Sequence, residues 1–148
     1  MSSYVLDASV AAKWLLPAES EPLSREAVSL LEAYASGYIE FMVPDLFWAE
    51  LGNILWKAVR RGRIPLAAAE KSIGAFGGWR IPAIPASQLL EDAVAIAGTF
   101  DRSVYDAIYV ALAVQLNKPL VTADERLANA LAMHFPVRWL GSFVVPVR

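Results

Sequence analysis

The sequence has no cysteine and a single histidine among its 148 residues. Disulfides, thiolate zinc sites and cysteine nucleophiles are excluded together. The lone His134, beside Phe135 and Pro136, also excludes any mechanism needing a His pair or a His/Cys metal cage. Charge is scarce: 19% of residues are charged against 57% hydrophobic, and the formal net charge is −2. With no global basic excess, an RNA partner would need a local basic surface. Long apolar runs are missing too, since nothing approaches the roughly 20 residues that a bilayer-spanning helix requires. The N-terminus, MSSYVLDASV, has no basic leader and places an aspartate inside its apolar run. It does not read as a signal peptide, and the expectation is a soluble, cytoplasmic protein.

What chemistry there is must therefore run on carboxylates. No Pro/Gly-rich or low-complexity break divides the chain, so residues 1–148 read as one domain. The apolar excess leaves two readings open: a homodimer or partner covers part of it, or the α/β core is unusually well buried.

Short apolar runs alternate with amphipathic stretches, the pattern of a mostly parallel sheet with helices on both faces. Strands are expected at Tyr4–Leu6, Phe41–Val43, Leu120–Thr122 and Val137–Leu140. Helices are expected from Val10 to Leu16, from Pro22 to just before Gly37, and from Pro44-Asp45 to the basic Lys57–Gly62 stretch. Others follow over Leu66–Phe76, Ser87–Thr99, Ser103–Leu116 and Asp124–Met133, with Trp79–Pro85 ambiguous between connection and strand.

Four carboxylates sit where a charge is expensive. Asp7 ends the first strand, at the edge where open α/β sheets bind ligands; an N-cap for the next helix is the plain structural alternative. Glu50 has Phe47, Leu46, Asn53 and Ile54 as its helical neighbours, which puts it on or beside the apolar stripe. Asp106 is the only charge in VYDAIYVALAVQL, a helix apolar all round and hence central. Its first-turn position suits the helix dipole, which explains the position but not the isolation. Asp124 follows the Leu120–Thr122 strand; Thr122 and Glu125 have capping-box spacing, leaving Asp124 free to point across the sheet edge. Gathered at one edge, four carboxylates would repel strongly, and hard divalent cations such as Mg²⁺ or Mn²⁺ would relieve them. Such a set points to a metal-dependent nuclease or phosphotransferase.

With VLDASV, PDLFWAELGNIL, SVYDAIYVALA and VTADERL in that order, the chain resembles the PIN-domain family nearly end to end. Within it, the likeness is to the VapC-type toxins of toxin–antitoxin pairs. The resemblance implies a three-layer α/β/α fold with a parallel sheet of four or five strands, bound Mg²⁺ or Mn²⁺, and endoribonuclease activity leaving a 3′-hydroxyl and a 5′-phosphate. It implies Asp7, Glu50, Asp106 and Asp124 as the acidic site, supported by Ser9 and Thr122. It also implies a VapB-type antitoxin and a homodimer. Asp101, beside Arg102 in a polar loop, reads as a solvated competitor.

Lys57 and Arg61 follow Glu50 by seven and eleven residues on one stripe, and with Arg60 and Arg63 form the densest basic patch. They can grip RNA phosphates or simply offset a helix dipole. Lys13 is a weaker candidate. Trp14, Leu15, Leu16, Leu30, Leu31 and Tyr34 look like apolar bulk that an antitoxin would cover, while of Trp48 and Trp56 at least one is expected in the core. The main rival is a PIN-like domain that binds a partner without cutting. A receiver-type domain would need adjacent carboxylates after the first strand and a late lysine, and a phosphatase an Asp-x-Asp motif; both are absent.

Overall fold

A computed structural model describes residues 2–146. Five parallel strands form one sheet in the order β3-β2-β1-β4-β5: β1 (Ser2–Leu6), β2 (Ile39–Pro44), β3 (Ala83–Ile84), β4 (Leu120–Thr122) and β5 (Val137–Trp139). The ambiguous segment thus supplies a two-residue edge strand, too short to announce itself by periodicity. Tyr4 pairs with Phe41 on one side of β1, and Leu6 with Val121 on the other. Because β1 and β4 are central and covered on both faces, they read as continuous apolar runs rather than alternating ones.

The helices are α1 (Ala8–Leu15), α2 (Ser24–Ala35), α3 (Leu46–Arg60), α4 (Leu66–Gly77), α5 (Leu90–Phe100), α6 (Val104–Leu116) and α7 (Glu125–Leu131). The chain builds outward from β1 through β2 to β3, then returns to β4 on the other side of β1. Right-handed crossovers therefore put α1 to α4 on one face and α5 to α7 on the other, giving three α/β/α layers. The reversal makes a switch point between β1 and β4, and the crevice at their carboxyl ends is where such sheets take ligands.

The expected helices are all present, with shifted ends. Pro22 does not open α2 directly: Leu23 takes a left-handed conformation (φ 60°) and α2 starts at Ser24. Gly37 (φ +77°) lies just past its end, as the sequence suggests. The Ser87 helix begins only at Leu90, after a short 3₁₀ turn over Ala86–Gln88.

Helix α6 is the buried centre: Ala107 through Ala113 are all buried. Around α1 to α4 the core is aromatic, with Trp14 packed among Phe41, Phe76 and Trp79 at centroid distances of 5.9, 5.8 and 6.4 Å. Trp14 Nε1 also donates to the Ala27 carbonyl over 2.7 Å. This corrects the expectation of free apolar bulk on the first two helices. Leu16 and Leu30 are buried, and Trp14, Leu15 and Tyr34 pack against the core. The two other tryptophans divide: Trp48 packs against the core, while Trp56 is 49% exposed.

Candidate active site

The crevice at the switch point is built from strand ends and helix starts. Asp7 directly follows β1, and its N–H still bonds to the Val121 carbonyl, so its backbone is part of the β1–β4 pairing. It is also the N-cap of α1, so the structural and functional readings of this residue both hold. Its Oδ2 receives two hydroxyls: Thr122 Oγ1 donates over 2.6 Å and Ser9 Oγ over 3.0 Å. Oδ1 takes only a long 3.4 Å bond from the Ser9 N–H. Each hydroxyl also accepts one bond, Thr122 Oγ1 from the Asp124 N–H and Ser9 Oγ from the Ala123 N–H, each over 3.0 Å. Ser9 and Thr122 thereby tie the end of β1 to the end of β4. Thr122 is the only buried polar residue among those described.

Asp124 corrects one local expectation. It is itself the N-cap of α7, with Oδ1 accepting from the Leu127 N–H over 3.2 Å, and Thr122 forms no capping box with Glu125. Thr122 is committed to the strand, and its hydroxyl serves Asp7. Asp124 remains exposed.

Asp106 lies in the first turn of α6, behind the N-cap Ser103, whose Oγ accepts from the Asp106 N–H over 3.0 Å. Arg102 Nη2 reaches Asp106 Oδ2 at 3.4 Å. Asp101 is exposed in a left-handed conformation (φ 54°) that ends α5, in keeping with a solvated residue. Glu50 projects from α3 beside the stripe of Phe47, Leu51, Leu55 and Ala58. Its Oε1 is fully shielded from solvent and has no hydrogen-bond partner; the Tyr109 hydroxyl of α6 neighbours it but is equally unpartnered.

Electrostatics show that these acids share one region. Burial pushes the Asp7 carboxyl above the usual carboxylate range, against the pull of the Thr122 and Ser9 bonds, and the Asp106 charge pushes the same way. Glu50 is raised first by burial, then by the charges of Asp7 and Asp106, although Tyr109 opposes this. Asp106 is raised by burial despite the nearby Arg102, and Asp124 adds to the rise. Burial and the same acids push the Tyr109 hydroxyl up as well, so it stays neutral. The four carboxylates thus form a connected anionic pocket. Among the described residues, however, no three acidic side chains stand at ion-holding spacing. The donor chemistry suits a hard divalent cation, because Glu50 keeps an orphaned buried oxygen and Asp7 an under-used one among acids that raise one another's pKa values. Side-chain movement would have to complete the ligand sphere.

The basic candidates separate. Lys57, Arg60 and Arg61 are exposed at the end of α3 and line one depression of about 260 Å³. Lys13 is held by Glu21 Oε1 at 3.4 Å and the Pro22 carbonyl at 2.6 Å, with its side chain 8% exposed. Arg63 is likewise bound to Glu21, at 2.6 Å. Sequence reasoning missed Arg102 and Tyr109; for Tyr109, three residues after Asp106 on α6, helical spacing was the available signal.

A parallel α/β/α fold thus places acidic residues at its switch point, where such sheets take ligands. The sequence matches the PIN domain over residues 4–131, and the chain belongs to that family. Ribonuclease VapC3 of Pyrobaculum aerophilum is 33% identical over 129 residues, 84% of this chain and 92% of that protein. The crystal structure of PAE2754 from the same organism superposes with a TM-score of 0.69 at 21% identity, covering 95% of this chain and 91% of that one. A toxin-antitoxin complex from Klebsiella pneumoniae gives a TM-score of 0.60 at 20% identity, over 91% of this chain and 95% of that one.

Proposed function

We propose that this chain is a single-domain, cytoplasmic, metal-dependent endoribonuclease, the toxin of a VapBC-type pair. The observation that carries the metal-binding part is the buried, unpartnered Glu50 oxygen set among the charges of Asp7 and Asp106. RNA as substrate is supported by the ribonuclease relative. A VapB-type antitoxin is supported by that protein's VapC name and by the structural neighbour from a toxin-antitoxin complex, and a homodimer by the family resemblance alone.

In this reading Asp7, Glu50, Asp106 and Asp124 would be the residues that hold Mg²⁺ or Mn²⁺. Such ions activate water and stabilise a leaving oxygen in phosphodiester hydrolysis. The chain's own residues position that chemistry. Thr122 and Ser9 fix Asp7 Oδ2, leaving Oδ1 as its freer oxygen. The neutral Tyr109 and the wall of α6 keep one side of the pocket dry beside Glu50. In the reaction, the water oxygen joins phosphorus and the P–O3′ bond breaks. One water proton leaves through the carboxylates, and a proton ends on the departing O3′. No single base is assigned, because Asp7, Glu50 and Asp106 interact and titrate as a set. Lys57 and Arg61, on the Glu50 stripe of α3, and Arg60 beside them, would hold flanking phosphates.

The spacing of the acids also favours a second reading, a PIN-like domain that binds a partner without cutting. Cleavage of mixed single-stranded RNAs with Mn²⁺ or Mg²⁺ decides between them. Wild type should cut, EDTA should stop it, and Asp106→Asn should lose it. Activity surviving EDTA, or equal in both proteins, would sink the metal–carboxylate proposal.

A further inference from the structure

Among the described residues, Arg102 is the only cation paired with any of the four pocket acids. The pairing is thin. One guanidinium nitrogen meets one carboxylate oxygen at 3.4 Å, at the outer limit of a hydrogen bond, and both side chains keep access to solvent, 22% and 33% exposed. An Arg–carboxylate pair built for stability is bidentate and shorter, about 2.7–2.9 Å. Arg102 Nε is meanwhile buried with no partner. A guanidinium has five donors in a fixed fork, so most of this one's capacity is unused.

The backbone, by contrast, is pinned. The Arg102 N–H bonds to the Ala97 carbonyl over 3.2 Å at the end of α5, and Ser103 next to it caps α6. Arg102 thus has a fixed backbone and a weakly held guanidinium, beside an acid that the proposed metal would claim. A divalent cation on Asp106 both satisfies that carboxylate and repels the guanidinium. The released fork has the shape and charge for two non-bridging oxygens of a phosphate.

Building on the nuclease reading, we propose that Arg102 is a catalytic residue with two alternating partners. It holds Asp106 in the metal-free protein and passes to the scissile phosphate of RNA when the metal binds. There it neutralises charge that grows on the phosphate oxygens during attack.

Two variants, Arg102→Gln and Arg102→Lys, test this with two independent readouts. Mn²⁺ affinity is measured by calorimetry without RNA. Because the competitor is gone, Arg102→Gln should bind Mn²⁺ several-fold more tightly than wild type. Cleavage of single-stranded RNA at saturating Mn²⁺ should nevertheless fall about 100-fold in kcat. Arg102→Lys, which keeps the charge but not the fork, should recover part of that loss and guards against a folding defect. A residue that merely braced the loop would weaken metal binding and cleavage together. Mn²⁺ affinity unchanged or weakened, or kcat unchanged, overturns the proposal. If wild type cuts no RNA at all, the nuclease reading fails separately. Affinity for single-stranded RNA in Ca²⁺ then decides: loss in Arg102→Gln upholds the phosphate contact, and no loss overturns it.

Discussion

Thr122 and Asp7 share the shortest hydrogen bond of the acidic pocket, 2.6 Å between side chains 115 positions apart in the chain. The same hydroxyl accepts the Asp124 N–H. Thr122→Val keeps the shape and removes both bonds inside a fully buried site. We expect a loss of about 1–3 kcal/mol in denaturant unfolding. Metal affinity should also fall about 10–100-fold, the usual effect of removing a group that orients a ligand. Thr122→Ser should restore most of both.

The raised carboxyls predict how pH acts on the metal-free protein. Glu50 is held above its unfolded value, so the folded state binds the extra proton more tightly. Its favourable contribution is present below the unfolded pKa and is lost as pH rises through the folded one. At neutral pH, Glu50 is therefore a destabilising charge. Glu50→Gln should melt a few degrees higher than wild type at pH 7, and the gap should close as pH falls towards 4. A gap that widens on acidification would contradict the sign.

Divalent ions should remove that same penalty. Excess Mn²⁺ is expected to raise the melting temperature at pH 7, by the linkage between binding and folding. The rise should shrink as pH falls, because protons compete with the metal for the raised carboxyls of Asp7, Glu50 and Asp106. Asp7→Asn and Asp106→Asn should each reduce it at every pH. Thermal unfolding across a pH series measures all three.

The tryptophans offer a test of packing independent of the site. Trp14 is surrounded by Phe41, Phe76 and Trp79, so Trp14→Ala should cost about 3–5 kcal/mol and leave little folded protein. Trp56→Ala, at a half-exposed position, should cost far less. Equal losses would mean that the α1–α4 face is packed differently.

How much of this was legible from the residues depended on range. Apolar runs located β1, β2, β4 and β5, and the isolation of Asp106 in an all-apolar helix located α6. Those signals are local, and tertiary packing agreed with them. The misreadings were of partners. For Lys13, nothing in the residue pattern signals the ion pair with Glu21, from the turn after α1. Thr122 looked like a helix cap because its nearest suitable neighbour in sequence was Glu125, whereas its true acceptor is Asp7. Arg102 is indeed a loop residue next to Asp101, but its guanidinium reaches over the start of α6 to Asp106. The apolar excess was real, but α6 and the aromatic cluster absorb much of it.

The adjacency of β1 and β4 has one more consequence, in time rather than space. Asp7 is synthesised more than a hundred residues before Thr122 and Asp124, which complete its surroundings. Until then β1 has no partner on that side, and the acidic pocket cannot close. A growing chain therefore lacks the assembled acidic site, and with it the proposed activity, until β4 has been made.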